Sequence, residues 1–564
     1  MKAFARIALL GMCLLAGASR ARAGTLTIVN LDDPGEGFND LTAVAPVGGN
    51  PGTTLGDQRL NVFQYAANIW GSILPDGVEI RVDARFDPIV SNPPCNATSG
   101  VLGSTGVSRF FRDVPGLPMP GTYYVQALAN KLTGVDQDNT IDDMDMTFNS
   151  DVDNNTCLGT SNWYYGLDGN EGTNIELLPV VLHEIAHGLG FTAQVSSNGA
   201  FSPSDAPSLY SRFILDKSTG QHWSDLTQAQ RATAFTNTGN EVWDGPAVNA
   251  QVPVMMEHQP ILNVSQPAAI AGNYAVGMGS FGRDPNYGAV TAQVIQAVDG
   301  TAPTSDACSP LTNGAQISGK IALIDRGTCT FTSKAVTAQA AGAVGVIIVN
   351  NTTGPAPDLG GTDPTVVIPV VSVSQTDGNN IRAQLGVGVI ATIGVSAQFA
   401  GADNTNRLLV YTPSTAAPGS SISHWDTSAL PNLLMEPNST PSLYSQVDMT
   451  RHALRDLGWF TGSSITGVGN GPGALPRLMS SPNPFDGATT VSFGLERTGP
   501  VELAVFGVDG RRVRRLVGWA LEAGPHSVAW DGKDDAGRSV PAGMYLFRLE
   551  ASGKTWTGRT VRLP

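Results

Sequence analysis

Charge of either sign is thin in this chain, and its densest basic cluster is the short Arg511-Arg512-Val513-Arg514-Arg515. Lys and Arg number 33 against 48 Asp and Glu, and charged residues fill only 14% of the 564 positions, for a formal net charge of −15. With so acidic a balance and no long Lys/Arg block to track phosphates, the composition argues against nucleic acid as a partner. Sparse charge beside 65 Gly and 37 Pro favours strands and turns over long surface helices. Membrane-length apolar runs are missing as well. Ile7 to Ala16 is too short to span stably, follows Lys2 and Arg6, and precedes the small-residue site Ala21-Arg22-Ala23. That order reads as an export signal cleaved near Ala23, with no stop-transfer pattern after it. The mature chain is therefore expected to lack a transmembrane segment and to be secreted or held at the cell surface. Cysteine is rare too: after Cys13 in the signal come only Cys95, Cys157, Cys308 and Cys329. Four cysteines allow three connectivities, and sequence locality favours Cys95–Cys157 and Cys308–Cys329.

What is present is concentrated around Val180 to Phe191. Only seven histidines occur in the chain, yet His183 and His187 stand four apart with Glu184 between them. On a helix that spacing stacks both imidazoles on one face, suited to two corners of a tetrahedral zinc site, with Glu184 beside the open corner. Val181, Leu182, Ile185, Ala186 and Leu189 cover the other faces, so the helix should be buried. Pro179 is tolerated only in a first turn, which predicts a start near Glu176 or Leu177. The alternative is a core helix that carries two histidines without a metal.

The length suits about three domains. Thr25 to Val29 alternates like a strand, Leu60 to Leu74 has helical spacing, and Val78 to Ala84 alternates again, which predicts a βαβ-like opening. Asp136, Asp138, Asn139, Asp142 and Asp143 form an acidic stretch. It reads as a solvated loop or, alternatively, as oxygen ligands for Ca2+, although the spacing is not that of an EF-hand. Met144, Met146 and Phe148 then alternate with polar residues, a half-buried strand expected to be the cleft edge that pairs with an extended peptide.

A catalytic zinc needs a third protein ligand. Gly188-Leu189-Gly190 is similar to the metzincin turn, but the position of the usual third His is Ala193. Farther on stand Ser423-His424-Trp425-Asp426 and, eleven positions after His424, Met435 within Pro431 to Pro437. This resembles the leishmanolysin family of metzincins, in which an insertion displaces the third His. The resemblance implies His183, His187 and His424 as zinc ligands, Glu184 as general base, Met435 as the floor of the site, and a helix over Val447 to Trp459. A gluzincin arrangement with Glu241 as third ligand, from Asn240-Glu241-Val242-Trp243-Asp244, is the rival. His222 and His258 read as surface residues.

Between the two ligand segments, Ile321 to Ile324, Thr332 to Ala341 and Val344 to Val349 read as strand, helix and fully buried strand. Gly319 to Phe331, with Ile368 to Val373 later, resembles the protease-associated (PA) domain. That resemblance implies either a substrate platform or a spacer. In the tail, Ser481 to Phe485, Trp530 to Asp535 and Pro541 to Tyr545 resemble the immunoglobulin-like module of flagellar hook-capping proteins and type IX sorting domains. This implies contact with the cell surface or with export machinery.

The expected fold is multidomain α+β. A signal over 1–23 precedes a metzincin-like domain over 24–261 and 401–461, interrupted by a PA domain over 262–400. A linker over 462–480 leads to a small β-sandwich over 481–564. The function these readings imply is that of a secreted zinc-dependent endopeptidase, which hydrolyses protein or peptide substrates by a metal-activated water with Glu184 as general base. The alternatives are a non-catalytic adhesion or binding protein on the same scaffold, or a zinc amidase.

Overall fold

The computed structural model describes residues 24–460 except 92–93, 155–156, 204–205, 440–442 and 444–446, and most of 478–562. The expected signal and nearly all of the expected linker lie outside the described residues. Two compact units form: one from the N-terminal part through Val195 with Phe201–Ser211 and Asn438–Gly462, the other from Ser196–Ala200, Arg212–Pro437 and the tail.

In the first unit, β1 (Leu26–Asn30), α1 (Leu55–Ile73) and β2 (Ile80–Asp87) make the expected βαβ opening, with β1 and β2 parallel and Leu26 opposite Ile80. Helix α1 begins earlier than its apolar spacing predicts. Thr54 caps it by accepting the Asp57 N–H, and a side chain on Gly56 would run into the Phe38 carbonyl at 2.4 Å. That glycine, which weakens the helix pattern in the sequence, is there for close packing. Along β2, Ile80, Val82, Ala84 and Phe86 are buried while Arg81, Asp83, Arg85 and Asp87 alternate with them.

The sheet is completed by β3 (Gly103–Val107) and β4 (Met144–Asn149) in the order β1-β2-β4-β3. Here the expectation for Met144 to Phe148 is corrected. Strand β4 lies inside the sheet, parallel to β2 and antiparallel to β3, and β3 is the edge. Alternation reports that one face of a strand is covered; it carries no information about lateral neighbours. Strand β3, reading Gly-Ser-Thr-Gly-Val, has too little apolar patterning to be noticed. Cys95 is bonded to Cys157 across 62 positions, a loop that encloses both strands. In the chain-entropy picture such a closure stabilises by about 4 kcal/mol.

In the second unit, the inserted region forms an eight-stranded sheet. Its strands are β5 (His258–Gln266), β6 (Gly272–Ala275), β7 (Gly277–Met278), β8 (Val290–Gln296), β9 (Ile321–Asp325), β10 (Gly345–Val349), β11 (Val370–Val373) and β12 (Val389–Phe399), in the order β6-β5-β12-β8-β9-β10-β11-β7. Strands β8 to β11 run parallel. All of β10 and all but the last residue of β9 are buried, as expected for parallel strands covered on both faces. Helix α3 (Phe331–Ala340) follows β9, capped by Thr330, and Cys308 is bonded to Cys329. Both disulfides pair as sequence locality favours.

The tail forms two antiparallel sheets around Trp530, whose ring centroid lies 5.2 Å from those of Phe485 and Tyr545. Among the described residues no helix is long and apolar enough to cross a membrane.

Candidate metal centre

Helix α2 (Leu177–Gly188) carries His183, Glu184 and His187, and Pro179 falls in its first turn as anticipated. Twelve residues make a marginal helix in water, so tertiary packing must hold it. Leu177, Leu178, Val181, Leu182, Ile185 and Ala186 are all fully buried. Each large aliphatic side chain among them contributes about 1.5–3 kcal/mol relative to exposure. Two indoles fasten the backbone: Trp70 Nε1–H donates to Leu182 O at 3.1 Å and Trp459 Nε1–H to Leu189 O at 2.8 Å. At Gly188 an added Cβ would come within 2.2 Å of Met144 Sδ, so α2 touches β4 where only glycine fits.

The end of α2 places a hydrogen-bond acceptor for one imidazole. Gly190 has φ +114, and Phe191 N–H donates to Ala186 O at 3.0 Å, closing the turn. This aims the Phe191 carbonyl at His187 Nδ1, 2.7 Å away. A carbonyl only accepts, so Nδ1 carries the proton and Nε2 of the neutral ring presents a lone pair. Burial, reinforced by the neighbouring His183, pushes the His187 pKa down to about 3, against the opposing Phe191 hydrogen bond. The ring is therefore neutral, the state a metal ligand requires.

His183 Nε2 and His187 Nε2 are 3.1 Å apart. Two imidazole nitrogens on one tetrahedral ion, at about 2.0–2.1 Å each, would stand about 3.3 Å apart. Among the described residues one group of side chains can hold a metal ion: His183, His187 and His424, whose ligand atoms all lie within 4.8 Å of one another. His424 is buried, and its Nδ1–H donates to Ser420 O at 2.7 Å, which leaves Nε2 as its coordinating atom, as in His187. Around it, Tyr411 N–H donates to His424 O and Trp425 N–H to Met435 O. Ile422 in the same loop is buried at φ +70, a costly conformation for a β-branched residue. Met435 is fully buried.

Glu184 is 6% exposed, and its Oε2 accepts the Thr105 hydroxyl at 2.8 Å. Burial pushes its pKa up to about 7, and the Thr105 hydrogen bond works in the opposite direction. Gly103 on the same strand gives the carboxylate room, since an added Cβ would lie 3.0 Å from Glu184 Cγ. Neither residue of β3 is noticeable in the sequence; a threonine that serves a glutamate 79 positions away leaves no local pattern.

Other candidates lie elsewhere. Glu241 is not in the histidine group; its Oε2 accepts the Trp223 indole N–H inside a small sheet, and burial pushes its pKa up to about 8. His222 faces Asp244 at 3.1 Å and His258 stacks on Phe399, so both are tied into local structure. In the acidic stretch, Asp142 pairs with Arg81 at 2.7 Å and Asp143 accepts the Arg81 backbone N–H and the Asn130 amide, each at 2.9 Å. Asp136 and Asp138 likewise accept from Asn130 and Thr140. These carboxylates are occupied by N–H and O–H donors, and among the described residues they do not form a group of three or more acidic side chains close enough to share an ion.

Residues 290–381 match the PA domain and residues 480–554 the FlgD Ig-like domain. Aminopeptidase YwaD of Bacillus subtilis is 40% identical over 105 residues, 16% of this chain and 23% of that protein. A probable leucine aminopeptidase 2 of Aspergillus fumigatus is 31% identical over 141 residues, 22% of this chain and 28% of that one. The ER degradation-enhancing alpha-mannosidase-like protein 3 of Xenopus laevis is 35% identical over 114 residues, 19% and 12% of the two chains. The chain thus spans between about an eighth and a little over a quarter of these relatives. Proteins named for such different activities share a module with it, not a whole architecture. Among solved structures, a zinc aminopeptidase from Bacillus subtilis is similar at 24% identity over 28% of this chain and 37% of that one, with a TM-score of 0.20. FlgD from Xanthomonas campestris is similar at 24% identity over 15% and 64%, with a TM-score of 0.13. The chain is a multidomain α+β protein with a PA domain and a C-terminal immunoglobulin-like domain, and neither matched range contains His183, Glu184, His187 or His424.

Proposed function

We propose that this protein is a secreted zinc endopeptidase of the metzincin type, with His183, His187 and His424 as ligands and Glu184 as general base. The observation that supports it best is the group of three imidazoles, two of them with Nδ1–H bound to a backbone carbonyl. Zinc, when bound, supplies a Lewis acid for the scissile carbonyl and a water of pKa near about 7. Glu184, held by Thr105, takes that water's proton and delivers it to the leaving amine. The edge of β3 offers backbone donors and acceptors to an extended substrate, which favours cleavage within a chain over removal of its first residue. Met435 shapes the apolar underside of the site. Residues 1–23 act as the export signal, and the C-terminal domain serves attachment or sorting.

The test is hydrolysis of an internally quenched peptide with a blocked N-terminus. Turnover should vanish with a chelator, return with zinc, and fall by at least about 100-fold in Glu184→Gln with zinc retained. Full activity in that variant removes Glu184 as base. Activity confined to free N-termini replaces the endopeptidase reading with an aminopeptidase, and absence of any turnover in the zinc-loaded protein favours a binding protein. Edman sequencing of exported protein should begin near Gly24.

A further inference from the structure

The PA domain buries a cation against sulfur. Lys334 on α3 has no exposed surface, and its Nζ donates to Asp306 O at 2.6 Å and lies 3.3 Å from Cys308 Sγ. The Cys329 backbone N–H also points at Cys308 Sγ, at 3.2 Å. Thr328 Oγ1 is 3.2 Å from the same sulfur but is 2.7 Å from the Asp306 carboxylate, which takes its one proton. Two donors therefore converge on Cys308 Sγ. The disulfide is within reach of solvent, since Cys308 is exposed and Cys329 half-buried. Cys329 also lines an open cavity of about 340 Å³ with Arg326, Thr330, Phe331 and Asn351.

A neutral disulfide sulfur gains little from a buried ammonium, whereas a thiolate gains a charge-assisted hydrogen bond. We propose that Cys308–Cys329 is a thiol–disulfide exchange site, attacked at Cys329 by an external dithiol, with Cys308 leaving as a thiolate held by Lys334. In the first step a thiolate of the dithiol bonds to Cys329 Sγ, the S–S bond breaks, and its electron pair passes to Cys308 Sγ. The second thiol of the reductant then displaces Cys329. Two electrons move from the dithiol, which becomes a disulfide, to the cystine. Asp306 and Asp299 on the preceding segment and Asp325 on β9 share the field of Lys334 and moderate the effect. Lys334 is thus a positioning residue for the leaving sulfur. This inference does not depend on the proposed peptidase activity.

The full chain is titrated with dithiothreitol, and each disulfide is followed by alkylation and peptide mass spectrometry. Cys308–Cys329 should open at least about tenfold faster than Cys95–Cys157. In the reduced protein Cys308 should alkylate with an apparent pKa below about 7.5, and Lys334→Met should return it toward about 8.5. The wild-type titration decides the matter even if that variant fails to fold. A Cys308 that alkylates at or above the ordinary thiol range, or a disulfide as resistant to the dithiol as Cys95–Cys157, overturns the proposal.

Discussion

Gly190→Ala perturbs the metal centre without touching a ligand. At φ +114 an alanine is strained whatever the space around it, and the space is adequate, since its Cβ would lie 3.4 Å from Val125 Cγ2. The cost is therefore conformational, about 1–3 kcal/mol. For a folding unit of this size each kcal/mol lowers Tm by roughly 2–4 °C, so a fall of about 2–12 °C is expected in thermal unfolding of the metal-free protein. A second effect follows from geometry. If the turn relaxes, the Phe191 carbonyl leaves His187 Nδ1, now 2.7 Å away, and the imidazole loses its orientation. Loss of such an outer partner lowers metal affinity about 10–100-fold, measurable by zinc competition with a chromogenic chelator. Gly188→Ala is the control. Its Cβ would overlap Met144 Sδ at 2.2 Å, an overpacking cost of about 1–3 kcal/mol that Met144→Val should relieve. No trimming of Val125 should restore Gly190→Ala. An alanine at 190 with unchanged Tm and zinc affinity, or one rescued by Val125→Ala, refutes the backbone argument.

Three further outcomes are expected. His424→Ala should weaken zinc by more than about 100-fold, beyond the loss of an outer partner, while Glu241→Gln leaves zinc affinity unchanged; the reverse pattern would install Glu241 as ligand. Glu176 is buried, and its pKa is raised to about 7 by burial, then by Glu171 and Asp168, against the opposing backbone hydrogen bond from Gly169. Its folded pKa lies above the unfolded 4.5, so the folded state binds this proton more tightly and wild-type stability falls as pH rises from about 4.5 to 7. Glu176→Gln should therefore unfold at a higher temperature than wild type above pH 7, with the gap closing below pH 5; a pH-independent gap would mean packing, not charge. Replacing residues 262–399 with a short linker should spare cleavage of small peptides and depress turnover of folded proteins, as compared in parallel assays; equal turnover of both would make the PA domain a spacer.

How far the chain can be read without coordinates depends on how local each signal is. Helix α2 announces itself because apolar residues and histidines share one 3.6-residue period, and Pro179 marks its start. The strands of the inserted sheet are legible because burial on both faces leaves unbroken apolar runs such as Val346 to Val349. The position of β4 is not, since the same alternation serves an interior or an edge strand. Strand β3 is hard to see because Gly103 answers to what lies opposite it, the side chains of Glu184 and Phe148, and not to strand propensity. The acidic stretch misleads for a related reason. Its carboxylates meet Arg81, Asn130 and Thr140, and only folding reveals those partners.

The third imidazole comes about 240 residues after the second in the order of synthesis. Under the proposed ligation, a polypeptide still growing on the ribosome would hold at most a two-point grip on zinc until His424 emerges. On that proposal, chains cut short before Ser423 would lack the third ligand whatever else they fold. Distance along the polymer would then act as a timer, delaying a complete ligand set until the PA domain has been synthesised.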